Sequence, residues 1–208
     1  MDVTTSTGRA RHEVRRRPSQ ERSRERFERI VAAAADLIAE RGIEPITMTD
    51  IANAAGLAVP ALYRYFPNRQ AIVRELAQRT FDADAEFSED VAGIARGATR
   101  DDVAEIVAAY CRLGLVDPVR LWVRIAVHAD SELSQLDLEG SRANAALLAD
   151  VLAESVDGVD RATLERRLLV VVETLDSVIR LAARSPEESE EIIVEFAHAT
   201  AHALFRPA

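Results

Sequence analysis

Apolar residues recur along this chain at steps of three and four, the spacing that places them on one face of a helix. Between about Gln20 and Arg41 the positions Phe27, Ile30, Val31, Ala34, Leu37 and Ile38 share such a face. The other face carries Arg22, Arg24, Arg26 and Arg29 among glutamates, and Gly42 is placed to end the helix as a C-cap. Two short segments follow. Thr47 is a good N-cap, and Asp50 three residues on resembles a capping box, with Ile51, Ala52 and Ala55 on the buried face of the helix they open. Leu57 and Ala58 form a turn after Gly56. Val59-Pro60 open the next helix, because proline is tolerated in a first turn. That helix is expected to reach Phe66, where Pro67 blocks it. Asn68 can cap a longer one through Ile72, Val73 and Leu76 toward Ser88.

The same period continues to the end. It predicts helices over Asp101–Leu115, from Pro118 onward, over Glu139–Ser155, over Arg161–Ala183, and from Ser185 onward. About nine helices, no hairpin and no internal repeat give an all-α fold. We read three parts: a disordered basic arm over residues 1–18, a helix-turn-helix domain over 19–67, and a helical domain over 68–208.

Composition agrees with a helical chain. Ala, Leu, Val, Glu and Arg dominate, and 48% hydrophobic residues supply a sizeable core. Cys111 is the single cysteine, so no intramolecular disulfide can form. No signal peptide and no uncharged apolar run of membrane-spanning length is evident, which makes a cytoplasmic protein the expectation. Charge changes the picture more. The net charge is −9, yet residues 1–80 hold 14 Arg against 10 acids. The remainder holds 12 Arg against 25 acids, and the chain contains no lysine. An acidic whole therefore carries a basic first part, an asymmetry that points to division of labour between the two.

The two short helices around Gly56 meet the needs of a helix-turn-helix. Ala52, Ala55 and Gly56 allow close crossing, Ile51, Leu57, Leu62 and Phe66 can fill the wedge, and Phe27, Ile30, Ala34 and Leu37 can form its floor. The run TMTDIANAAGLAVPALYRYFPNRQAI, residues 47–72, resembles the DNA-binding signature of TetR-family (tetracycline-repressor-like) regulators, and ERIVAAAADLIAERG, residues 28–42, resembles that family's first helix. The resemblance implies double-stranded DNA as a partner. It places Ala58, Val59, Pro60 and Ala61 at the recognition edge and Tyr63, Arg64 and Tyr65 at DNA-facing positions. Thr47 would cap and touch a phosphate. Arg69 stands where the family usually has a phosphate-binding lysine. Ala58 departs from the frequent Ser or Thr, which removes a polar contact. Arg15, Arg16 and Arg17 of the arm are further candidates for phosphate or minor-groove contact.

The resemblance also implies that the second domain dimerises and senses a small-molecule effector. Wide apolar faces on the last two helices point independently to a homodimer through Leu168, Val171, Leu175, Val178, Phe196, Thr200 and Leu204. Candidate effector contacts are Phe81, Tyr110, Cys111, Trp122, His128 and Asp176, with Tyr110 and Trp122 favoured for their apolar bodies and polar handles. Arg124 can recognise an anion or face water. No cofactor and no metal is implied: His198 and His202 share a helix face but lack any HExxH pattern. Motifs of P-loop, GxGxxG, GxSxG and CxxC type are missing as well, and an enzyme would rest on His128 with Asp130 or Glu132. The reading is a ligand-responsive transcriptional regulator, a repressor released from a palindromic operator. The alternative is an all-helical enzyme or an interaction adaptor that does not bind DNA.

Overall fold

The computed structural model describes residues 21–207, and the arginines at 15–17 lie outside them. Among the described residues nine helices and no strand occur: α1 (Glu21–Arg41), α2 (Met48–Ala54), α3 (Val59–Leu62), α4 (Arg69–Ile94), α5 (Arg100–Leu115), α6 (Pro118–Ala129), α7 (Ser131–Leu152), α8 (Arg161–Arg184) and α9 (Ser189–Phe205). The chain forms two compact units, Met1–Thr80 and Phe81–Ala208. The division falls within α4, which supplies residues to both.

In the first unit α1 buries Phe27, Ile30, Val31, Ala33, Ala34, Leu37 and Ile38, the stripe its periodicity requires. It ends at Gly42, whose φ of 76° suits a residue without a Cβ, and the Gly42 N–H donates to the Ile38 carbonyl at 2.8 Å. Thr47 and Asp50 make a complete capping box on α2. The Asp50 N–H donates to Thr47 Oγ1 (3.2 Å) and the Thr47 N–H donates to Asp50 Oδ2 (2.9 Å). Gly56, with φ of 64°, turns the chain between α2 and α3. The latter is shorter than its expected end at Phe66. After Leu62 the backbone tightens: the Tyr65 N–H donates three residues back, to the Leu62 carbonyl at 2.9 Å. Asn68 caps α4 by accepting from the Ala71 N–H at 3.0 Å.

In the second unit α8 packs against α5, α7 and α9, α5 also packs on α9, and α6 packs on α7. Gly114 lets α5 close on α8: a Cβ there would lie 2.5 Å from Ile179 Cδ1. Several helix boundaries differ from expectation, among them three starts. A Thr99–Asp102 capping box opens α5. Asp130 accepts from the Glu132 and Leu133 N–H groups and opens α7 eight residues before Glu139. Residues 186–188 form a turn, so α9 begins at Ser189 rather than beside Pro186.

Candidate functional site

The first unit presents a short edge. Ala58 and Pro60 are exposed, Val59 and Ala61 half-buried, and Tyr63 and Arg64 exposed. Beneath them Leu62 and Phe66 are fully buried, and Phe66 stacks on Phe27 with ring centroids 5.0 Å apart. The apolar half of the motif thus holds the helices together while Tyr63 and Arg64 stand free of it.

Two expected DNA contacts are engaged within the unit itself. Tyr65 is 7% exposed, packs edge-on to Phe27 and shares a 3.1 Å hydrogen bond with the Ser23 hydroxyl. It belongs to the joint between α1 and the turn after α3. Arg69 points its Nη1 at the carbonyls of Ile43 (2.8 Å), Glu44 (2.7 Å) and Ile46 (3.2 Å). It fastens the start of α4 to the loop between α1 and α2, satisfying acceptors left over past the end of α1. Thr47 is exposed, but its hydroxyl is engaged in the cap and donates to Asp50 Oδ2 at 2.6 Å. Arg69→Ala is therefore expected to lower the stability of the first unit by about 1–3 kcal/mol, and Tyr65→Phe by about 1 kcal/mol. Urea denaturation followed by circular dichroism measures both. An Arg69→Ala chain as stable as the parent would return Arg69 to a free, DNA-facing role.

The second unit encloses a cavity whose empty volume is about 1080 Å³, open solvent at its mouth included. One part of its wall is apolar, with Val91, Val103, Val107, Leu148, Leu168 and Val171. Another part is charged, and Arg124 of α6 organises it. The Arg124 guanidinium donates to Asp84 of α4 and to Asp137 of α7. Its Nε lies 2.9 Å from Asp176 Oδ2 of α8, an ion-pair contact without hydrogen-bond alignment. Arg120, one turn earlier, donates to Asp84 Oδ1 at 2.5 Å and to the Tyr110 hydroxyl, which itself donates to Asp84 Oδ1 at 3.0 Å. The Arg120 guanidinium also lies 5.0 Å from the Tyr110 ring centre, and that of Arg124 5.4 Å from the Phe81 ring centre.

This lattice is buried, with Arg124 8% and Asp84 11% exposed at the side chain. Burial alone would make Arg124 easier to deprotonate, but the carboxylates of Asp176, Asp84 and Asp137 outweigh it and hold the guanidinium charged. For Asp176 the balance goes the other way. Burial, reinforced by Asp84 and Asp137, outweighs both arginines and raises its carboxyl above the usual range. Burial and the Asp84 charge likewise raise the Tyr110 phenol, so it remains a neutral donor.

Of the six expected effector contacts, Phe81, Tyr110, His128 and Asp176 line the cavity. The other two stand elsewhere. Cys111 is fully buried in the helical core, where burial pushes its thiol up to about 11, an unreactive state. Trp122 is 40% exposed on the surface, because it faces away from the side of α6 that buries Val123, Arg124 and Val127. The sequence reading missed Asp84, Asp137, Ser141 and Asn144 of the wall and weighed Arg124 as an anion site or a water-facing charge. The spacing of Asp137, Ser141 and Asn144, four and three residues apart, marks one face of a helix, but their helix was not expected to begin until Glu139.

The proposed dimer residues also divide. Leu168, Leu175, Thr200 and Leu204 are buried within their own chain and have no surface for a partner, whereas Val171, Val178 and Phe196 are half-buried. The outward faces of α8 and α9 carry Val170, Leu181, Ala199 and Ala203 instead. His198 and His202 are exposed on the same side of α9.

A helix-turn-helix unit followed by a helical unit with a cavity is an arrangement that suits a DNA-binding regulator. Comparison with known proteins gives its family. Residues 30–76 match the family model for bacterial regulatory proteins of the tetR family, and residues 97–208, more than half of the chain, match the tetracyclin repressor-like C-terminal domain. The chain belongs to the TetR family of transcriptional regulators. An uncharacterized HTH-type transcriptional regulator of Mycobacterium tuberculosis, Rv1255c, is 29% identical over 174 residues, covering 81% of this chain and 82% of that protein. Among solved structures, a TetR-family regulator from Streptomyces coelicolor is 26% identical with a TM-score of 0.59, covering 88% of this chain and 96% of its own. The regulator FadR from Bacillus subtilis, solved in complex with stearoyl-CoA, is 21% identical with a TM-score of 0.64, covering 88% and 99%. Among the described residues no helix is long and apolar enough to cross a membrane.

Proposed function

We propose that the chain is a ligand-responsive repressor that works in the cytoplasm as a homodimer and leaves a palindromic operator when a small molecule fills the second unit. The observation that carries this reading is the cavity, with a large apolar wall and a buried charged one in a chain whose first unit exposes Tyr63 and Arg64 beside a recognition edge. A regulator with no effector has no need of such a space in its core, because empty volume costs stability. The exposed apolar residues on α8 and α9 support pairing of two copies, and two reading heads set about 34 Å apart would meet successive major grooves.

Helix α4 supports a route between the two tasks. Phe81, Asp84 and Phe87 of α4 line the cavity, and Arg69 of the same helix is tied to the loop before α2. A ligand that shifts α4 by differential contact with its two positions biases the spacing of the heads.

The test uses duplex DNA from upstream of the gene that encodes this chain. Binding is expected to be specific, to have a 2:1 protein-to-duplex stoichiometry, and to weaken steeply between low and moderate salt. Absence of binding at low salt would favour the adaptor reading.

A further inference from the structure

The charged wall of the cavity is specific about what it can hold. Arg124 is the one guanidinium that lines the space, and each of its three nitrogens already faces a carboxylate, of Asp84, Asp137 or Asp176. The guanidinium is thus already surrounded by negative charge before any anion arrives. Acceptors, by contrast, are in excess. Asp84, Asp137 and Asp176 together with Glu173 place four acidic side chains around the space, against the basic side chains of Arg124 and His128. Asp137 uses only Oδ1 in its contact with Arg124.

A second and independent feature lies on α7. Ser141 is 8% exposed, lines the cavity and has no hydrogen-bond partner among the described residues, whereas Ser88 in the same wall donates to the Asp84 carbonyl at 2.9 Å. The Ser141 hydroxyl opens to the cavity, where a bound group can supply a partner. Asn144, three residues on and half-buried, also lines the cavity with no side-chain bond within the described residues. Asp137, Ser141 and Asn144 stand on one face of α7 at steps of four and three, so their heads form a row. Gly140 lies in the same stretch of wall, and a Cβ added there would meet nothing within 4 Å. The row therefore borders open space.

A carboxylate oxygen, a hydroxyl oxygen and an amide oxygen in a row suit a group with several N–H donors and a positive charge. The apolar wall beyond them suits a hydrocarbon body. Resting on the reading of this cavity as the effector site, we propose that the effector is an amphiphile with a protonated amine head, seated against Asp137, Ser141 and Asn144 with its apolar part toward Val107, Leu148 and Leu168. Anionic amphiphiles of the same length bind less well, because four acidic side chains border the space and the Arg124 guanidinium already faces three of them.

Three probes of one chain length separate the terms: decylamine, decanol and decanoate, each titrated calorimetrically into the full chain below its aggregation concentration. Decylamine is expected to bind at least about 10-fold more tightly than decanol, the worth of one charge-assisted hydrogen bond, and decanoate more weakly than either. Asp137→Asn removes the charge, and Asn144→Leu removes an acceptor without touching the Arg124 contacts. Both are expected to weaken decylamine more than decanol and so to narrow the preference between them. Decanol or decanoate binding as tightly as decylamine would overturn the amine assignment and leave the cavity as an effector site. An Asn144→Leu chain that keeps the full preference would overturn the seating on α7. Failure of all three probes to bind would overturn the cavity reading itself.

Discussion

Arg124→Met is expected to destabilise the second unit by about 3–5 kcal/mol, the cost of leaving buried charge without its partner. For a chain of this size that is a fall in melting temperature on the order of 10 °C. Arg124 is the common partner of three buried carboxylates from three helices, α4, α7 and α8. Without it Arg120 remains close to Asp84 and Asp176 but has no contact with Asp137. The methionine fills the space but supplies no donor. Two further measurements separate this cause from ordinary packing. Adding Asp84→Asn to the variant removes part of the excess negative charge and is expected to restore part of the lost stability, a coupling that independent sites would not show. The deficit is also expected to shrink as pH falls from about 7 to about 5. The sign follows from the folded state. Asp176 already has a raised pKa, and loss of Arg124, its largest stabilising charge, raises it further. A carboxyl with a folded pKa above its unfolded value penalises folding at high pH, and the penalty fades as the pH falls through that folded value. Urea titrations at the two pH values measure it. A loss under about 1 kcal/mol at neutral pH would mean that water, rather than the arginine, satisfies these carboxylates.

The ease of reading this chain followed the distance over which its contacts act. The capping box of Thr47 and Asp50, the proline that opens α3 and the Asn68 cap are local chemistry, with partners three residues apart. All were legible before any fold was known, and so was the stripe from Phe27 to Ile38. The charged lattice was not. Arg124 and Asp84 are separated by 40 positions and Arg120 and Asp84 by 36, and nothing in a helical period says that two such residues meet. Tyr63 and Tyr65 show the same limit at a finer scale. They looked equivalent in the motif, yet the chain tightens after Leu62, which exposes one and turns the other onto Phe27 and Ser23, 42 positions away. Arg69 was expected to bind phosphate from its place in the family motif, where a lysine is usual. The three carbonyls it meets belong to a loop more than 20 residues earlier, and backbone acceptors leave no trace in side-chain patterning.

The second large effect concerns Arg64, and it follows from that sorting. With Tyr65 and Arg69 engaged in the unit's own structure, Arg64 is the charged side chain left on the exposed edge between Ala58 and Phe66. It has no hydrogen bond or ion pair among the described residues. The neighbouring edge, Ala58 to Ala61, offers methyl and ring carbons that can meet thymine methyls but no hydrogen-bonding side chain. Polar readout thus falls on Arg64, with the Tyr63 hydroxyl beside it. Arg64→Ala is expected to cost about 1–2 kcal/mol at each head, hence roughly 30- to 800-fold in operator affinity for a dimer. Thermal unfolding should be unchanged, since the side chain holds nothing in the fold. The form of the loss identifies the contact. A guanidinium on a guanine edge loses more on operator than on unrelated DNA and leaves the salt slope nearly unaltered. A guanidinium on phosphate loses affinity for all duplexes alike and lowers the salt slope by about 1 per head. Tyr63→Phe gives a smaller loss of about 1 kcal/mol per head by removing one hydroxyl. An Arg64→Ala chain that binds operator as the parent does would leave the exposed edge without its polar reader and would point to the arm before Glu21 as the source of affinity.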